Sequence, residues 1–331
     1  MTISSLLLTA FAAALICFVV LWILLRTGWA FDIALDIPNH RSLHVKPVPR
    51  VGGWGVLPAA LAIIAIEAPL MRWFAVGALV LGALSQIDDR RGLSARTRFA
   101  GHLIVAGAAV ALSANGIEWW LAVAAVIALV WLINLYNFMD GSNGLAGGMA
   151  VFGFATYAVA AMAVEPQLSI ASVAIAGAAL GFLALNFHPA RIFLGDVGSI
   201  PLGFLAGALG FWGWRHDAWP VWFPALAFAP FIADATVTLL RRLARGEKVW
   251  EAHRQHYYQR LVQLGASHVR VALLYYGLML CGSTLALVAL HVPTIAQWLA
   301  VACWYLVLAG VGMGIDQRWR AFERSRAETA A

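Results

Sequence analysis

The chain has 331 residues, of which 62% are hydrophobic and only 11% are charged. Soluble domains carry about 25% charged residues, so this composition excludes a water-exposed globule and indicates lipid as the surrounding solvent. The net charge of +6 does not indicate nucleic-acid binding, because the basic residues are spread over short segments between apolar runs.

Eleven apolar segments are predicted to form membrane-spanning helices. A helix needs roughly 20 residues to cross the hydrocarbon core, and several of these segments are shorter than that. In chain order they lie near residues 5–26, 51–70, 73–88, 98–114, 118–137, 144–163, 168–187, 199–214, 219–241, 268–290 and 293–314. The pattern predicts an all-α polytopic membrane protein that forms a single integral membrane domain over residues 1–331.

The connections between these segments divide into two sets on opposite sides of the membrane. One set consists of residues 27–50, 88–98, 138–143, 188–198, 242–267 and the tail after 314. Of the 22 Lys and Arg residues in the chain, only Arg72 and Arg215 belong to the other set. By the positive-inside rule the basic set is cytoplasmic. This predicts an N-terminus on the outer, periplasmic face and a C-terminus in the cytoplasm.

The motifs that suggest chemistry all fall in the predicted cytoplasmic connections. They are LDIPNHRSLHVKPVPRVGG (35–53), QIDDRRGLSARTR (86–98), NFMDGSNGLAGG (137–148), NFHPARIFLGDVGS (186–199) and RRLARGEKVWEAHRQHYYQRL (241–261). They place Asp88, Asp89, Asp140 and Asp196 at cytoplasmic helix ends, beside Arg, Lys and His residues. Ionisable residues near membrane depth are costly and usually functional.

Taken singly, each motif also has a structural explanation. Asp88 and Asp89 precede two Arg residues and could form local ion pairs in a solvated loop. Asp140 and Asp196 each adjoin a glycine and could belong to ordinary turns. The whole inventory nevertheless suits phosphoryl transfer. Mg²⁺ commonly binds one or two carboxylates plus substrate phosphates, while Arg and Lys can hold the remaining phosphate charge.

Several of these motifs resemble one enzyme family. NLYNFMDGSNGLAGG (134–148), FLGDVGSIPLGF (193–204), the acid pair at 88–89 and DIPNHRSLHVKPVPRVGG (36–53) are similar to motifs of the polyprenyl-phosphate N-acetylhexosamine-1-phosphate transferases. The resemblance covers residues from about 36 to 261 and extends to the eleven-span topology. It implies transfer of a sugar-1-phosphate from a UDP-sugar to undecaprenyl phosphate, with release of UMP.

The resemblance also implies the enzyme's surroundings and cofactor. It implies a protein of the bacterial inner membrane, in contact with membrane lipid, with its active site facing the cytoplasm and Mg²⁺ (alternatively Mn²⁺) as cofactor. A homodimer is in keeping with the family. HRQHYYQRL (253–261) is similar to the branch that initiates O-antigen or other surface-glycan synthesis. That branch implies a UDP-N-acetyl sugar such as UDP-GlcNAc, UDP-GalNAc or a deoxy relative.

The resemblance assigns site residues in three groups. The catalytic acids are Asp88, Asp89 and Asp196, of which Asp196 and Asp88 are the metal ligands. The nucleotide side consists of Asn137, Asp140, Asn143, Asn186 and Phe193. The sugar and phosphate side consists of His253, Arg254 and His256. We also expect Lys46 and Arg50 on this side, although neither matches a single family residue. In the simplest scheme Asp88 accepts a proton from the lipid phosphate or orients it, and a covalent aspartyl-phosphate route is the alternative.

Asn143 departs from the family pattern, in which a second acid is usual in D-G-x-D-G. An amide oxygen can still accept a hydrogen bond from a uracil ring, so we expect a nucleotide-side role with altered recognition rather than a metal ligand. Two other classes of function stay open. A secondary transporter would carry ionisable residues near the bilayer midplane, and an inactive scaffold of a glycan-assembly complex would tolerate the change at Asn143.

Overall fold

The computed structural model describes residues 2–38, 47–113, 116–248 and 253–330, so the predicted site residue Lys46 lies outside the described residues. The helices, in chain order, are α1 (Ile3–Thr27), α2 (Trp29–Ile33), α3 (Gly53–Glu67), α4 (Arg72–Arg91), α5 (Ala95–Ser113), α6 (Trp119–Phe138), α7 (Leu145–Ala161), α8 (Pro166–Asn186), α9 (Asp196–Arg215), α10 (Phe223–Ala227), α11 (Ala229–Ala244), α12 (Tyr257–Gln263), α13 (His268–Ala289) and α14 (Thr294–Ala330). A 3-10 turn at Pro69–Met71 precedes α4. Two short strands, β1 (Leu35–Asp36) and β2 (Val48–Pro49), form an antiparallel ladder.

Each of the eleven predicted segments coincides with a helix or a helix pair in the described part of the chain. Seven described helices, α1, α4, α6, α8, α9, α13 and α14, are long and apolar enough to cross a membrane, while α3 and α7 are apolar but shorter. Ile3, Leu8 and Phe11 of α1 are each about two-thirds exposed, as expected for a lipid-facing surface. The prediction of an all-α, multi-pass membrane protein is confirmed at this level, apart from the short β ladder, and the count of eleven spans and the orientation stay predictions.

The ninth predicted segment, near 219–241, is not one continuous helix. It consists of α10 and α11, which meet at Phe228. Pro230 lies in the first turn of α11. Proline has no N–H to donate and its ring clashes with the preceding turn, so α10 cannot continue through this position and a new helix begins.

Asp88 and Asp89 lie on a helix and not in a loop. The predicted connection 88–98 is shorter than expected, because α4 continues to Arg91 and α5 begins at Ala95. The chain turns at Gly92, which has φ +66° and donates its N–H to the Asp88 carbonyl at 2.7 Å. A left-handed glycine of this kind commonly ends a helix. The two acids are therefore held on the last turn of α4.

The helix α9 is the most enclosed of the seven long apolar helices. It packs against α4, α6, α5 and α3, while α8 packs against α1, α3 and α7. At its start, Gly53 of α3 lies so close to Gly198 that a Cβ at residue 53 would overlap the Gly198 backbone. Because both positions are glycine, the N-termini of α3 and α9 come together, and Asp196, the first residue of α9, lies at this junction.

Candidate active site

The segment 49–53 is joined by backbone hydrogen bonds to the segment that precedes α9. The Phe193 N–H donates to the Pro49 carbonyl at 2.9 Å, and the Phe193 carbonyl accepts from the Gly52 N–H at 2.8 Å. The Gly53 N–H donates to the Leu194 carbonyl at 2.9 Å. These bonds join the end of β2 to the segment before α9 and bring the motifs at 36–53 and 193–204 together.

Two cations lie beside the acid pair of α4. A guanidinium nitrogen of Arg50 is 3.5 Å from Asp89 Oδ1, and Arg98 lies 3.2 Å from Asp88 Oδ2. Asp88 Oδ1 accepts the Leu93 N–H at 2.6 Å. Asp89 Oδ2 is buried and has no hydrogen-bond partner among the described residues. Both oxygens of Asp88 are thus occupied, whereas one oxygen of Asp89 remains available.

Asp196 and Asp140 connect the NFMDG and FLGD motifs. The Asn137 side chain donates a hydrogen bond to the Asp196 carboxylate. The Gly195 backbone N–H donates to the Asp140 carboxylate. Burial, assisted by the negative charge of Asp196, raises the pKa of Asp140 to about 7, against the opposing effects of the Gly195 hydrogen bond and Arg50. The two predicted acids therefore lie close enough for the charge of Asp196 to affect the pKa of Asp140.

A cleft of about 600 Å³ opens between α5, α6, α9 and the chain that leads into α12. Its polar and aromatic lining consists of Arg96, Arg98, Phe99, His102, Asn134, Asn137, Phe138, Asp196, His253, His256 and Gln259. His256 stacks on Phe138, with ring centroids 6.2 Å apart, and lies 4.8 Å from the His253 ring. The structure thus brings the 253–261 motif to the same cavity as Asp196, although the two are more than 50 residues apart in sequence.

His253 and Arg254 differ in their placement. Burial, together with the positive charges of His256 and Arg242, lowers the pKa of His253 to about 4, so its ring is neutral at pH 7. Arg254 is not among the residues that line the cleft, and its carbonyl accepts a hydrogen bond from Gln263.

Asn137 lines this cleft, but Asp140, Arg50, Asp88 and Asp89 lie outside its lining. The three other predicted nucleotide-side residues, Asn143, Asn186 and Phe193, do not line it either. Asn186 is buried, and its side chain accepts the Gly144 N–H at 2.8 Å and donates to the Ile192 carbonyl at 2.9 Å. The Asn143 amide lies 3.3 Å from Nδ1 of His188. In this structure Asn186 holds the turn in place, and direct contact of any of the three with a nucleotide stays a prediction.

Two tyrosines fix the turn that carries the NFMDG motif. The Tyr258 hydroxyl donates to the Phe138 carbonyl at 3.1 Å, and the Tyr276 hydroxyl donates to the Gly144 carbonyl at 2.7 Å. A Cβ at Gly141 would overlap the Tyr258 hydroxyl, so this glycine permits the close approach of α12. The turn between α6 and α7 is consequently held by α12 and α13.

Three residues that the sequence patterns did not single out belong to this region. Asp36 interacts electrostatically with Asp89 and Asp140. His102 lines the cleft, is 5% exposed, and has no hydrogen-bond partner at Nδ1 among the described residues. Asp234 is buried inside α11. A lone acid in an apolar segment is a recognisable signal, so Asp234 could have been identified from the sequence.

The available oxygen donors suit a hard cation whose remaining ligands come from the substrate. Among the described residues, no group of three or more His, Cys, Asp and Glu side chains is placed to hold a metal ion. Mg²⁺ usually takes only one or two carboxylates, with phosphates and water as the other ligands. The unpartnered Asp89 Oδ2 and the nearby Asp196 carboxylate are oxygen donors of that kind. A role for Mg²⁺, or Mn²⁺ in its place, is in keeping with this set.

Comparison with known proteins gives matches over most of the chain. The model of glycosyl transferase family 4 matches residues 71–213, which contain the acid pair, the NFMDG motif and Asp196. A "probable undecaprenyl-phosphate N-acetylglucosaminyl 1-phosphate transferase" of Bacillus subtilis is 29% identical over 298 residues, 83% of this chain and 82% of the relative. A decaprenyl-phosphate N-acetylglucosaminephosphotransferase of Mycolicibacterium smegmatis is 31% identical over 309 residues, 76% of this chain and 75% of the relative. A phospho-N-acetylmuramoyl-pentapeptide-transferase of a Synechococcus species is 29% identical over 286 residues, 76% of this chain and 82% of the relative.

Proposed function

Because this chain belongs to glycosyl transferase family 4, the polyprenyl-phosphate hexosamine-1-phosphate transferases, we propose that it transfers an N-acetylhexosamine-1-phosphate, or a deoxy relative, from a UDP-sugar to undecaprenyl phosphate and releases UMP. The product would be the lipid-linked first sugar of O-antigen or another cell-surface glycan. The reaction would take place at the cytoplasmic face of a bacterial inner membrane. The relatives from Bacillus and Mycolicibacterium, whose names specify N-acetylglucosamine, support UDP-GlcNAc as the first donor to test.

The observation that carries this proposal is the meeting of separate motifs at one cleft. Asp196 lines the same cavity as His253 and His256, and Asn137 ties Asp196 to the turn after α6. Arg98 also lines the cavity and is paired with Asp88. Carboxylates and cations around one opening are the groups needed to hold a cation and phosphates together.

The residues of this chain have distinct tasks in the transfer. Asp196 would hold Mg²⁺ together with the free oxygen of Asp89, in place of the predicted ligand Asp88, whose two oxygens are already in contact with Leu93 and Arg98. The bound ion would neutralise charge on the diphosphate. Asp88 orients the lipid phosphate or accepts its proton. An oxygen of that phosphate bonds to the sugar-linked phosphorus as the bond from this phosphorus to the UMP oxygen breaks. Arg98 and His256 stabilise the charge that develops on the phosphates.

The test is UMP release by the purified protein from UDP-GlcNAc and undecaprenyl phosphate with Mg²⁺. Asp196→Asn should lower the rate at least roughly 100-fold, because removing a group that stabilises transition-state charge typically costs that much. Asp217→Asn is the matched control, since Asp217 is an exposed residue just beyond the other end of α9, with φ +56°, a conformation that asparagine accepts. Full activity in Asp196→Asn would contradict the site assignment, and no UMP from any UDP-sugar would favour the inactive scaffold.

Two further measurements refine the reaction. A panel of UDP-GlcNAc, UDP-GalNAc and deoxy relatives, with analysis of the lipid-linked product, identifies the sugar. Exchange of labelled UMP into UDP-sugar in the absence of lipid would indicate the covalent aspartyl-phosphate route, because that route forms its intermediate before the acceptor reacts. Absence of exchange in an active enzyme supports direct transfer.

A further inference from the structure

Asp234 is an acid in an otherwise apolar stretch of α11, and its side chain is only 3% exposed. It belongs to none of the motifs that form the cleft. An ionised carboxylate is costly to bury unless other groups satisfy it. Its neighbours therefore indicate why it is retained.

Four donors surround the Asp234 carboxylate. Oδ1 accepts the Tyr257 N–H at 2.8 Å and the Thr238 hydroxyl at 3.3 Å, and Oδ2 accepts the Tyr258 N–H at 3.1 Å and the Tyr275 hydroxyl. Tyr257 and Tyr258 are the first two residues of α12. Asp234 thus binds the free N–H groups at the start of a helix that lies on a different part of the chain.

A neutral hydroxyl or amide is sufficient to cap a helix, so the charge of Asp234 calls for another partner. That partner is His256, whose buried Nδ1 is 3.4 Å from Asp234 Oδ1, within ion-pair range, and has no hydrogen bond among the described residues. The His256 side chain is also 3% exposed, stacks on Phe138 and lines the cleft that contains Asp196. The imidazole therefore lies between the buried carboxylate and the proposed site of phosphoryl transfer.

We propose that Asp234 is a positioning residue that acts through His256. The carboxylate holds the imidazole by its Nδ1 edge, which favours a proton on Nδ1 and directs Nε2 towards the sugar-phosphate end of the donor. A carboxylate partner also stabilises the imidazole when it carries positive charge beside phosphate. The inference rests on the proposed function and adds to the same site a residue that belongs to none of the motifs identified above.

The test compares Asp234→Asn with Thr236→Val, which changes a hydroxyl on the same helix that contacts Trp131 and not Asp234. Asp234→Asn should lower kcat by roughly 10- to 100-fold, the usual effect of losing a residue that orients a catalytic group. The KM for UDP-GlcNAc should change much less. Thr236→Val should retain wild-type kcat. A role confined to helix capping would instead lower Tm and leave kcat per folded molecule unchanged, which would overturn the proposal.

A double-mutant cycle with His256→Gln separates the two roles. If Asp234 acts through His256, Asp234→Asn should cause no further loss of kcat in the His256→Gln background, whereas independent effects would multiply and contradict the proposal. Should Asp234→Asn fail to fold, Tyr275→Phe removes one donor from the same carboxylate. It should lower kcat in the wild-type background and have no effect with His256→Gln. An inactive wild-type protein would contradict the proposed function itself, whereas an active one with unaffected Asp234→Asn overturns only this inference.

Discussion

Two clusters of charged side chains in this protein differ in how many partners surround their carboxylates. In the Asp316 cluster, defined by Asp316, Arg241, Arg260 and Tyr257, one carboxylate contacts Arg241 at 2.6 Å, Arg260 at 2.9 Å and the Tyr257 hydroxyl at 3.2 Å. In the acid-pair cluster, defined by Asp88, Asp89, Arg50 and Arg98, Asp89 has one Arg50 contact at 3.5 Å and a buried oxygen without a partner among the described residues.

The difference distinguishes a carboxylate that stabilises the fold from one that is available to bind a ligand. Arg241 and Arg260 also lie over the Tyr257 ring, at 5.4 and 5.7 Å from its centroid, so both oxygens of the Asp316 carboxylate are used within the fold. Such a carboxylate has little capacity left for a ligand. A buried oxygen without a partner is costly to the folded protein, and that cost is understandable at a functional site. Comparing variants of the two clusters tests this distinction.

The largest expected effect is at Asp89. Asp89→Asn removes the charge of the partly satisfied carboxylate, so UMP release should fall roughly 100- to 1,000-fold, as for loss of a group that stabilises transition-state charge. The Tm should stay the same or rise, because functional sites often cost stability. The measurements are UMP release and thermal unfolding of the same preparation. Retained activity with a lower Tm would show that Asp89 stabilises the fold, as Asp316 does, and would contradict its proposed role in binding.

Asp316→Asn should show the opposite result. It leaves Arg241 and Arg260 without their carboxylate, and the free energy of unfolding should fall by about 1–3 kcal/mol, the scale of hydrogen bonds to charged groups. Thermal or denaturant unfolding in detergent measures this loss. Glu323→Gln, an exposed acid on the same helix that contacts Trp319, is the control and should unfold like the wild type. If Asp316→Asn instead abolished UMP release at wild-type stability, the Asp316 cluster would be part of the active site.

Asn143→Asp tests whether residue 143 belongs to the acid-pair cluster. The Asn143 amide contacts His188, which is not one of the proposed metal ligands, so a new charge there should leave the Mg²⁺ requirement unchanged. The KM for the UDP-sugar should shift several-fold, in keeping with a nucleotide-side role. Titrations of Mg²⁺ and of UDP-GlcNAc measure the two effects separately. A large change in the Mg²⁺ requirement would place Asn143 on the metal side.

The smallest expected effect concerns His253 and pH. Its pKa is about 4 in the folded protein and about 6.5 when unfolded. Between these values the unfolded chain binds more protons, so the contribution of His253 to stability is present above about pH 6.5 and is lost as pH falls towards 4. The Tm of His253→Gln should fall less steeply over this range than that of the wild type. His291→Gln, at an exposed histidine between α13 and α14, should follow the wild type. Parallel curves for His253→Gln and wild type would contradict the lowered pKa.

Local pattern alone predicts much of this fold. Apolar runs locate the helices because a helix in lipid satisfies its own backbone hydrogen bonds and needs only apolar side chains around it. The predicted segments nevertheless run through Pro230, where α11 begins anew, and stop at 88, before the glycine at 92 that ends α4. The motifs likewise contain Asp89, Asp196 and His256, since chemistry at membrane depth stands out against an apolar background.

The sequence by itself determined where the helices lie and which polar motifs interrupt them, because both follow from residues close together in the chain. Only the tertiary structure decided which motifs meet. The bond from Tyr258 to Phe138 joins residues 120 apart, and the Asp234–His256 pair joins two helical elements that no periodicity relates. Tertiary structure also decided that Asp89 keeps an oxygen without a partner among the described residues, whereas Asp316 has both oxygens in contact. Whether a carboxylate stabilises the fold or stays available for a ligand depends on how many donors packing brings to it, and that number is a property of the folded chain.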